Sequence, residues 1–301
     1  MKIDRRKING AIMALLAVVF WAGNIVIASG IGGMYSPIVT SFMRWLLALI
    51  IFTPFVIKKT IAEWELIKKQ KWIILFNGVF CVGLFSLFVY MAGETAGATN
   101  ISLIMTTSPI FTLIFLKVIF KEKIGMKRIT GMIIVILGIL LLFSRGDIRV
   151  LMNLDFVAGD IITLIAAIAW GSYMVVNKLK DSRMSSSVFV YSGFLVAFIT
   201  MLPFMTVYVA KEGFPVIYWS GLLCFLYIAV FNCIFAFVLW SLATERLGTA
   251  NVAPIYNIIP AITCVLAIIF IEEKIIAMQI VAMVIVFVGV IITQDSFKKR
   301  K

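Results

Sequence analysis

The sequence repeats itself at a nearly constant spacing, and this constrains the fold more than any single residue does. Gly10, Trp21, Ala48, Pro54 and Phe55 recur 149 positions later as Gly159, Trp170, Ala197, Pro203 and Phe204. Glu94, Gly97, Asn100, Pro109, Glu122, Lys123 and Gly138 recur 151 positions later as Glu245, Gly248, Asn251, Pro260, Glu273, Lys274 and Gly289. A two-residue insertion in the second half reconciles the two offsets. Each half holds five apolar spans, an odd number, so a span and its repeat partner cross a bilayer in opposite senses. The pattern predicts an all-α membrane protein of ten transmembrane helices in two inverted five-helix repeats, residues 1–149 and 150–301. In a membrane protein an inverted repeat implies alternating access around a site at the repeat interface.

Composition places the chain in a bilayer. It is 63% hydrophobic with a mean hydropathy of +1.11, and its charges fall in short clusters between long uncharged runs. Several of those runs approach the roughly 20 residues needed to cross about 30 Å of hydrocarbon. The run from Ile8 to Met43 is too long for one crossing and is divided by Ser29-Gly-Ile-Gly-Gly33 and Ser36-Pro37, because Gly and Pro clusters mark turns. The net charge of +13 is a topology signal and not a nucleic-acid footprint. With a cytoplasmic N-terminus, the inside segments hold 22 of the 27 Lys and Arg, the outside loops hold four, and Arg44 lies within a span. This predicts a multi-pass cell-membrane protein with both termini cytoplasmic. Arg5, Arg6 and Lys7 look like the start of a signal peptide, but cleavage would remove Gly10 and Trp21, which the sixth span repeats. Cys81, Cys224, Cys233 and Cys264 lie in apolar runs without Cys-x-x-Cys spacing and read as small buried hydrophobes, with no disulfide or metal role.

Trp21-Ala-Gly-Asn24, Ser36-Pro37 followed by Arg44, the stretch from Asn100 to Pro109, and Glu122-Lys123 leading to Gly131 and Gly138 together resemble the EamA-type family of the drug/metabolite transporter superfamily. The resemblance covers essentially the whole chain as two tandem units. It implies ten helices, cytoplasmic termini and a central cavity formed mainly by the first four helices of each repeat, with the fifth and tenth peripheral. Gly193 stands where Arg44 would recur, and Ala282 replaces Gly131, so an arginine-dependent role belongs to one half alone.

Arg44 is the charged residue lying well inside a span, and its desolvation there makes it a functional candidate. Its planar fork suits a carboxylate or phosphate on the cargo; the alternative is a structural arginine pairing with helix-end carbonyls or reaching toward the surface. Pro109 and Pro260 each remove a backbone hydrogen bond inside a span, leaving the carbonyls of Met105 and Tyr256 to find other donors. The helix kinks at Pro109 and Pro260 either flank a substrate site with Thr107, Tyr256 and Asn257, or are packing features capped by hydroxyls. Trp21 and Trp170 fall mid-span, as repeat-interface packing or as a cavity wall. Asn100 and Asn251 read chiefly as interhelical hydrogen-bonding residues, and Asn24, Tyr90, Tyr173 and Trp240 add polar or aromatic surface to the same helices. Gly131 and Gly138 share one helical face and permit close helix approach. Glu122 and Glu273 sit at helix ends beside lysines and suit capping or surface pairing.

These readings predict a secondary transporter exporting amino acids or related metabolites, with no enzymatic activity, cofactor or metal. Its expected partners are a small-molecule cargo and the lipid bilayer, without nucleic acid; a homodimer is compatible with such a chain. No Gly-x-x-x-x-Gly-Lys-Ser/Thr loop couples it to ATP. Proton coupling is not legible, since the chain has no His and Glu94, Glu245 and Asp160 all lie near membrane boundaries. The competing reading is an intramembrane lipid-modifying enzyme, which needs several converging acids, bases or metal ligands. A carrier of nucleoside or sugar-related cargo is the alternative within the transporter class.

Overall fold

The computed structural model describes residues 5–30, 34–121, 125–144, 147, 157–247 and 255–294, and among them all regular secondary structure is helical. In hydrocarbon a backbone must satisfy its own polar groups, and a helix does so within one segment. The first half contains α1 (Arg5–Gly30), α2 (Pro37–Ala62), the short α3 (Trp64–Lys69) and α4 (Lys71–Phe76). α4 continues through a π-helical segment (Asn77–Leu84) into α5 (Phe85–Gly93). α6 (Ala98–Met105), α7 (Ser108–Phe120) and α8 (Met126–Ser144) follow. The second half contains α9 (Ala158–Leu179), α10 (Ser186–Glu212) and α11 (Trp219–Tyr227), a second π-helical segment (Ile228–Phe235), then α12 (Ala236–Leu247), α13 (Ile259–Ile271) and α14 (Ala277–Gln294).

Among the described residues, seven stretches are long and apolar enough to cross a membrane: Asn9–Gly30, Pro37–Ala62, Lys71–Gly93, Ala98–Phe120, Ala158–Leu179, Ser186–Glu212 and Trp219–Thr244. Three further apolar helices among the described residues, Ile129–Leu142, Ile259–Ile271 and Ala277–Ile292, are shorter, at 10–17 residues. Large side chains such as Phe55, Val118, Ile133 and Val284 face outward, as a lipid-contacting surface requires.

The repeat is written into the backbone as well as the side chains. The two π-helical segments, 77–84 and 228–235, correspond at the offset of 151. So do the left-handed residues that end α7 and α13, Lys121 with φ 54° and Glu272 with φ 51°. The expected kinks are full interruptions: turns at 106–107 and 257–258 separate the helical residues on either side. Pro109 and Pro260 sit in the first turn of α7 and α13, where the missing N–H has no helical partner to lose. The carbonyl freed at Met105 is not left open. Ser108 Oγ donates to it, while Thr106 Oγ1 and Thr107 Oγ1 donate to the carbonyls of Leu103 and Ile104.

Packing is unchanged in pattern when the halves are exchanged. α1 packs on the second π-helical segment and α12, as α9 packs on the first π-helical segment and α5. α1 also lies against α13, as α9 lies against α6 and α7, while α2 packs on its own repeat partner α10. α8 and α14 pair with each other at the side of this core, joining Val135, Ile139 and Leu142 to Ala282, Val286 and Val290. Glycine makes that pairing close: a Cβ on Gly289 would lie 2.8 Å from the carbonyl oxygen of Gly131, and one on Gly138 would lie 2.8 Å from Val286 Cγ2. Gly289→Leu must therefore push the pair apart, at a cost of about 1–3 kcal/mol for overpacking. A lowered thermal unfolding midpoint in detergent is expected, and an unchanged midpoint would contradict the close α8–α14 contact.

Candidate functional site

The centre of the molecule is an aromatic cluster built on the repeat axis. Trp21 on α1 and its counterpart Trp170 on α9 meet edge to face with ring centroids 5.4 Å apart. Trp240, Phe237 and Tyr256 surround Trp21 at 5.1, 5.7 and 5.9 Å. Tyr173 and Tyr256 stack on Trp170 at 4.9 and 6.0 Å, and Phe85 lies 5.2 Å from it. Beside this cluster is a cavity of about 40 Å³ lined by Trp21, Asn24, Ile25, Arg44, Phe85, Val89, Ile101, Met105, Trp170, Asn232, Phe237, Tyr256 and Ile259. A water needs roughly 10–15 Å³ of such space, so the cavity admits a few waters and no amino-acid-sized cargo.

Arg44 supplies the charge. It is 2% exposed, on α2, and its Nε donates to Cys233 Sγ at 3.1 Å while Nη1 donates to Tyr90 Oη at 3.2 Å. Tyr90 Oη in turn donates to Asn24 Oδ1 at 2.8 Å. The guanidinium lies over the Trp45 ring at 4.5 Å and the Tyr90 ring at 5.9 Å, and Trp45 is fixed by donating from Nε1 to Ser86 Oγ. No carboxylate pairs with Arg44 among the described residues, and Nη2 has no hydrogen-bond partner among them. Aromatic faces contribute about 0.5–2 kcal/mol to a cation, whereas the effective penalty for burying an ion is several kcal/mol. The site is therefore short of negative charge. Trp170 adds a second orphan, since its buried Nε1–H has no acceptor among the described residues.

The second π-helical segment positions Cys233 against Arg44, because its widened turn packs on α2, and it brings Asn232 to the cavity wall. π-helical turns commonly occur at functional sites. At the equivalent place in the other half, a Cβ on Gly193 would lie 2.9 Å from Asn77 Nδ2 and 3.8 Å from Val82 Cγ2, and Val82 is the repeat counterpart of Cys233. The backbone frame is thus repeated while the cation is not.

Of the residues singled out in the sequence, Trp21, Asn24, Arg44, Trp170 and Tyr256 line the cavity. Tyr90, Tyr173 and Trp240 stand behind that wall and touch it through the contacts above. Asn100 is elsewhere: its Oδ1 accepts from Gln279 Nε2 of α14 at 2.8 Å, an interhelical bond. Thr107 is spent on the carbonyl of Ile104, and neither Thr107 nor Asn257 lines the cavity. Asn251, Gly248, Glu122 and Lys123 lie outside the described residues, as does the side chain of Glu245. The expectation that all four cysteines are inert buried hydrophobes is corrected at two points: Cys233 accepts a hydrogen bond from Arg44, and Cys224 and Cys264 are half-exposed. The apolar liners Ile25, Val89, Ile101, Met105 and Ile259 carry no sequence signal that separates them from other membrane residues.

Contacts between the halves close the core at both ends. At one end Glu273 accepts from the backbone N–H groups of Ala98 and Thr99, capping α6 from the opposite repeat. Thr95 Oγ1 accepts from Gly159 N at the start of α9, and Tyr35 Oη accepts from Tyr218 N before α11. At the other end Glu63 accepts from Ser185 N before α10, and Gln70 bonds the carbonyl of Leu179 and the N–H of Asp181. Hydrogen bonds from Arg183 hold the Asp181 carboxyl well below the usual carboxylate range and fix that loop. Glu94 is exposed, and Asp160 is buried in the first turn of α9; neither lines the cavity.

Removing one such carboxylate cap costs about 1 kcal/mol, or about fivefold in an opening equilibrium. Glu273→Ala is expected to speed labelling of a cysteine placed at Met105, in a background of serine replacements, by about that factor with a water-soluble maleimide. Unchanged labelling would show that Glu273 does not hold this end closed.

Residues 8–144 and 157–294 each match the model of the EamA-like transporter family. A probable amino-acid metabolite efflux pump of Salmonella typhimurium is 27% identical over 305 residues, covering 96% of this chain and 96% of that protein. A protein of the same description from Escherichia coli is 25% identical with 96% of each chain covered. An uncharacterized transporter of Bacillus subtilis, YyaM, is 22% identical over 95% of this chain and 93% of its own length. A solved crystal structure superposes with a TM-score of 0.65 at 15% identity, covering 97% of this chain and 99% of the other, and so shares its fold.

Proposed function

We propose, because this chain belongs to the EamA-like transporter family, that it is a secondary transporter exporting amino acids or related small metabolites by alternating access. In this reading ten helices form two inverted repeats, residues 1–149 and 150–301, in the cell membrane with both termini cytoplasmic. The observation that carries the cargo assignment is the buried Arg44 guanidinium, which lines the central cavity without a carboxylate partner among the described residues. A carboxylate on the cargo supplies the missing charge and matches the planar donor fork. The efflux-pump descriptions of the Salmonella typhimurium and Escherichia coli relatives support export of amino-acid-related cargo. The closed contacts at both ends support an occluded state, from which either end opens as its cross-repeat caps release. A lipid-modifying enzyme would place several acids, bases or metal ligands around one point, and the cavity lining instead offers one arginine amid aromatic and aliphatic groups.

Losing a charge-assisted hydrogen bond costs about 1.5–3 kcal/mol, so Arg44→Ala should raise KM for a carboxylate cargo by about 10- to 100-fold in reconstituted liposomes. Arg44→Lys should recover part of this, since it keeps the charge and loses the fork. Matched membrane expression and size-exclusion profiles separate this from misfolding. Wild-type kinetics in a folded Arg44→Ala protein would return Arg44 to a purely structural role.

A further inference from the structure

The central cavity is one-sided in charge. Among the described residues its lining provides a cation at Arg44 and an unpaired donor at Trp170 Nε1, and every other lining side chain is apolar, aromatic or an uncharged amide. Among the described residues no Asp or Glu lines it, and the chain has no His. This has two physical consequences. A carboxylate seated on Arg44 would hold an α-ammonium group of the same molecule a few ångströms from the guanidinium, a like-charge approach with no acid on the wall to offset it. Of the two amides on the wall among the described residues, Asn24 Oδ1 already accepts from Tyr90, and the Asn232 amide is uncharged and cannot balance an ammonium's charge. The same wall also lacks a group that could take up and release a proton in step with the cargo.

We infer that the cargo of this cavity is a singly charged organic anion, a carboxylate on an apolar or aromatic body without an ammonium group, carried without a proton and driven by the membrane potential. The inference rests on the reading of Arg44 as the carboxylate anchor. A 2-hydroxy, 2-oxo or N-acylated derivative of an apolar amino acid has this chemistry. Once the caps at one end release and the 40 Å³ cavity widens, the carboxylate meets Arg44 Nη2 and Trp170 Nε1–H, and the body lies among Trp21, Phe237 and Met105. Arg44 stays near mid-span as access alternates, so each cycle moves one negative charge across the bilayer whichever step carries the current. With the cell interior about 100 mV negative, that charge favours the outside by about 50-fold. Export then needs no second ion.

The pair L-3-phenyllactate and L-phenylalanine tests this, because they share a body and a carboxylate and differ by hydroxyl for ammonium. Purified full-length protein is reconstituted in liposomes, and uptake of each labelled compound is followed with and without an interior-positive potassium diffusion potential set by valinomycin. Phenyllactate is expected to enter at least tenfold faster than phenylalanine, to accelerate with the potential, and to be unaffected by a pH gradient. Phenylalanine transported as fast or faster, or phenyllactate transport that ignores the potential or follows the pH gradient, overturns the inference. If Arg44→Ala then abolishes the phenylalanine transport, the anchor reading stands while the cargo class falls. If folded Arg44→Ala transports like wild type, or neither compound moves through folded protein, both fall.

Discussion

The fold is organised around a positive charge that it buries without neutralising. The bonds from Arg44 to Cys233 and Tyr90, and the aromatic faces of Trp45 and Tyr90, orient the guanidinium but leave Nη2 without an acceptor among the described residues. Those contacts are worth less than the desolvation they accompany. The deficit is met by the packing of the rest of the structure, in which α2 lies against α10 and the second π-helical segment. A cation held in this way strengthens the pull on an incoming anion, because the low dielectric that penalises the empty site also strengthens the pairing.

Symmetry supplies the frame, and its failure supplies the site. The interruptions before Pro109 and Pro260, the π-helical segments and the left-handed residues Lys121 and Glu272 all recur at one offset. Yet Gly193 faces Asn77 and Val82 where Arg44 faces Cys233. Two arginines at the same depth would double the burial cost and repel. One half therefore contributes the charge, while the other contributes Asn232, Cys233 and the Trp170 indole. The closures are likewise built across halves: Glu273 caps α6, and Glu63 meets the backbone before α10. Hydrogen bonds of this kind can be exchanged for water at the membrane surface at little net cost, which suits contacts that must break in every cycle.

Much of this was legible in the residues. The repeat, the apolar spans, the breaks at the prolines and the placement of Trp21, Trp170 and Arg44 follow from spacing and from the rarity of charge in hydrocarbon. The π-helical segments were not legible, because a widened turn has no composition of its own in a run such as Ile228-Ala-Val-Phe-Asn-Cys-Ile-Phe235. For that reason Cys233 read as an inert hydrophobe. Thr107 looked like a cavity residue because a hydroxyl beside a proline can serve cargo or backbone, and only the fold shows it turned to the carbonyl of Ile104. Asn100 makes the interhelical hydrogen bond that its residue type suggests, but its partner Gln279, 179 residues away on the peripheral pair of helices, was not legible.

The account stands or falls on what meets the free edge of Arg44. The most direct measurement is a structure of the protein in lipid determined with 3-phenyllactate bound. The account predicts carboxylate oxygens within hydrogen-bond distance of Arg44 Nη2 and Trp170 Nε1, with the phenyl ring among Trp21, Phe237 and Met105. A ligand bound away from Arg44, with the guanidinium still engaged only by Tyr90 and Cys233, would contradict it.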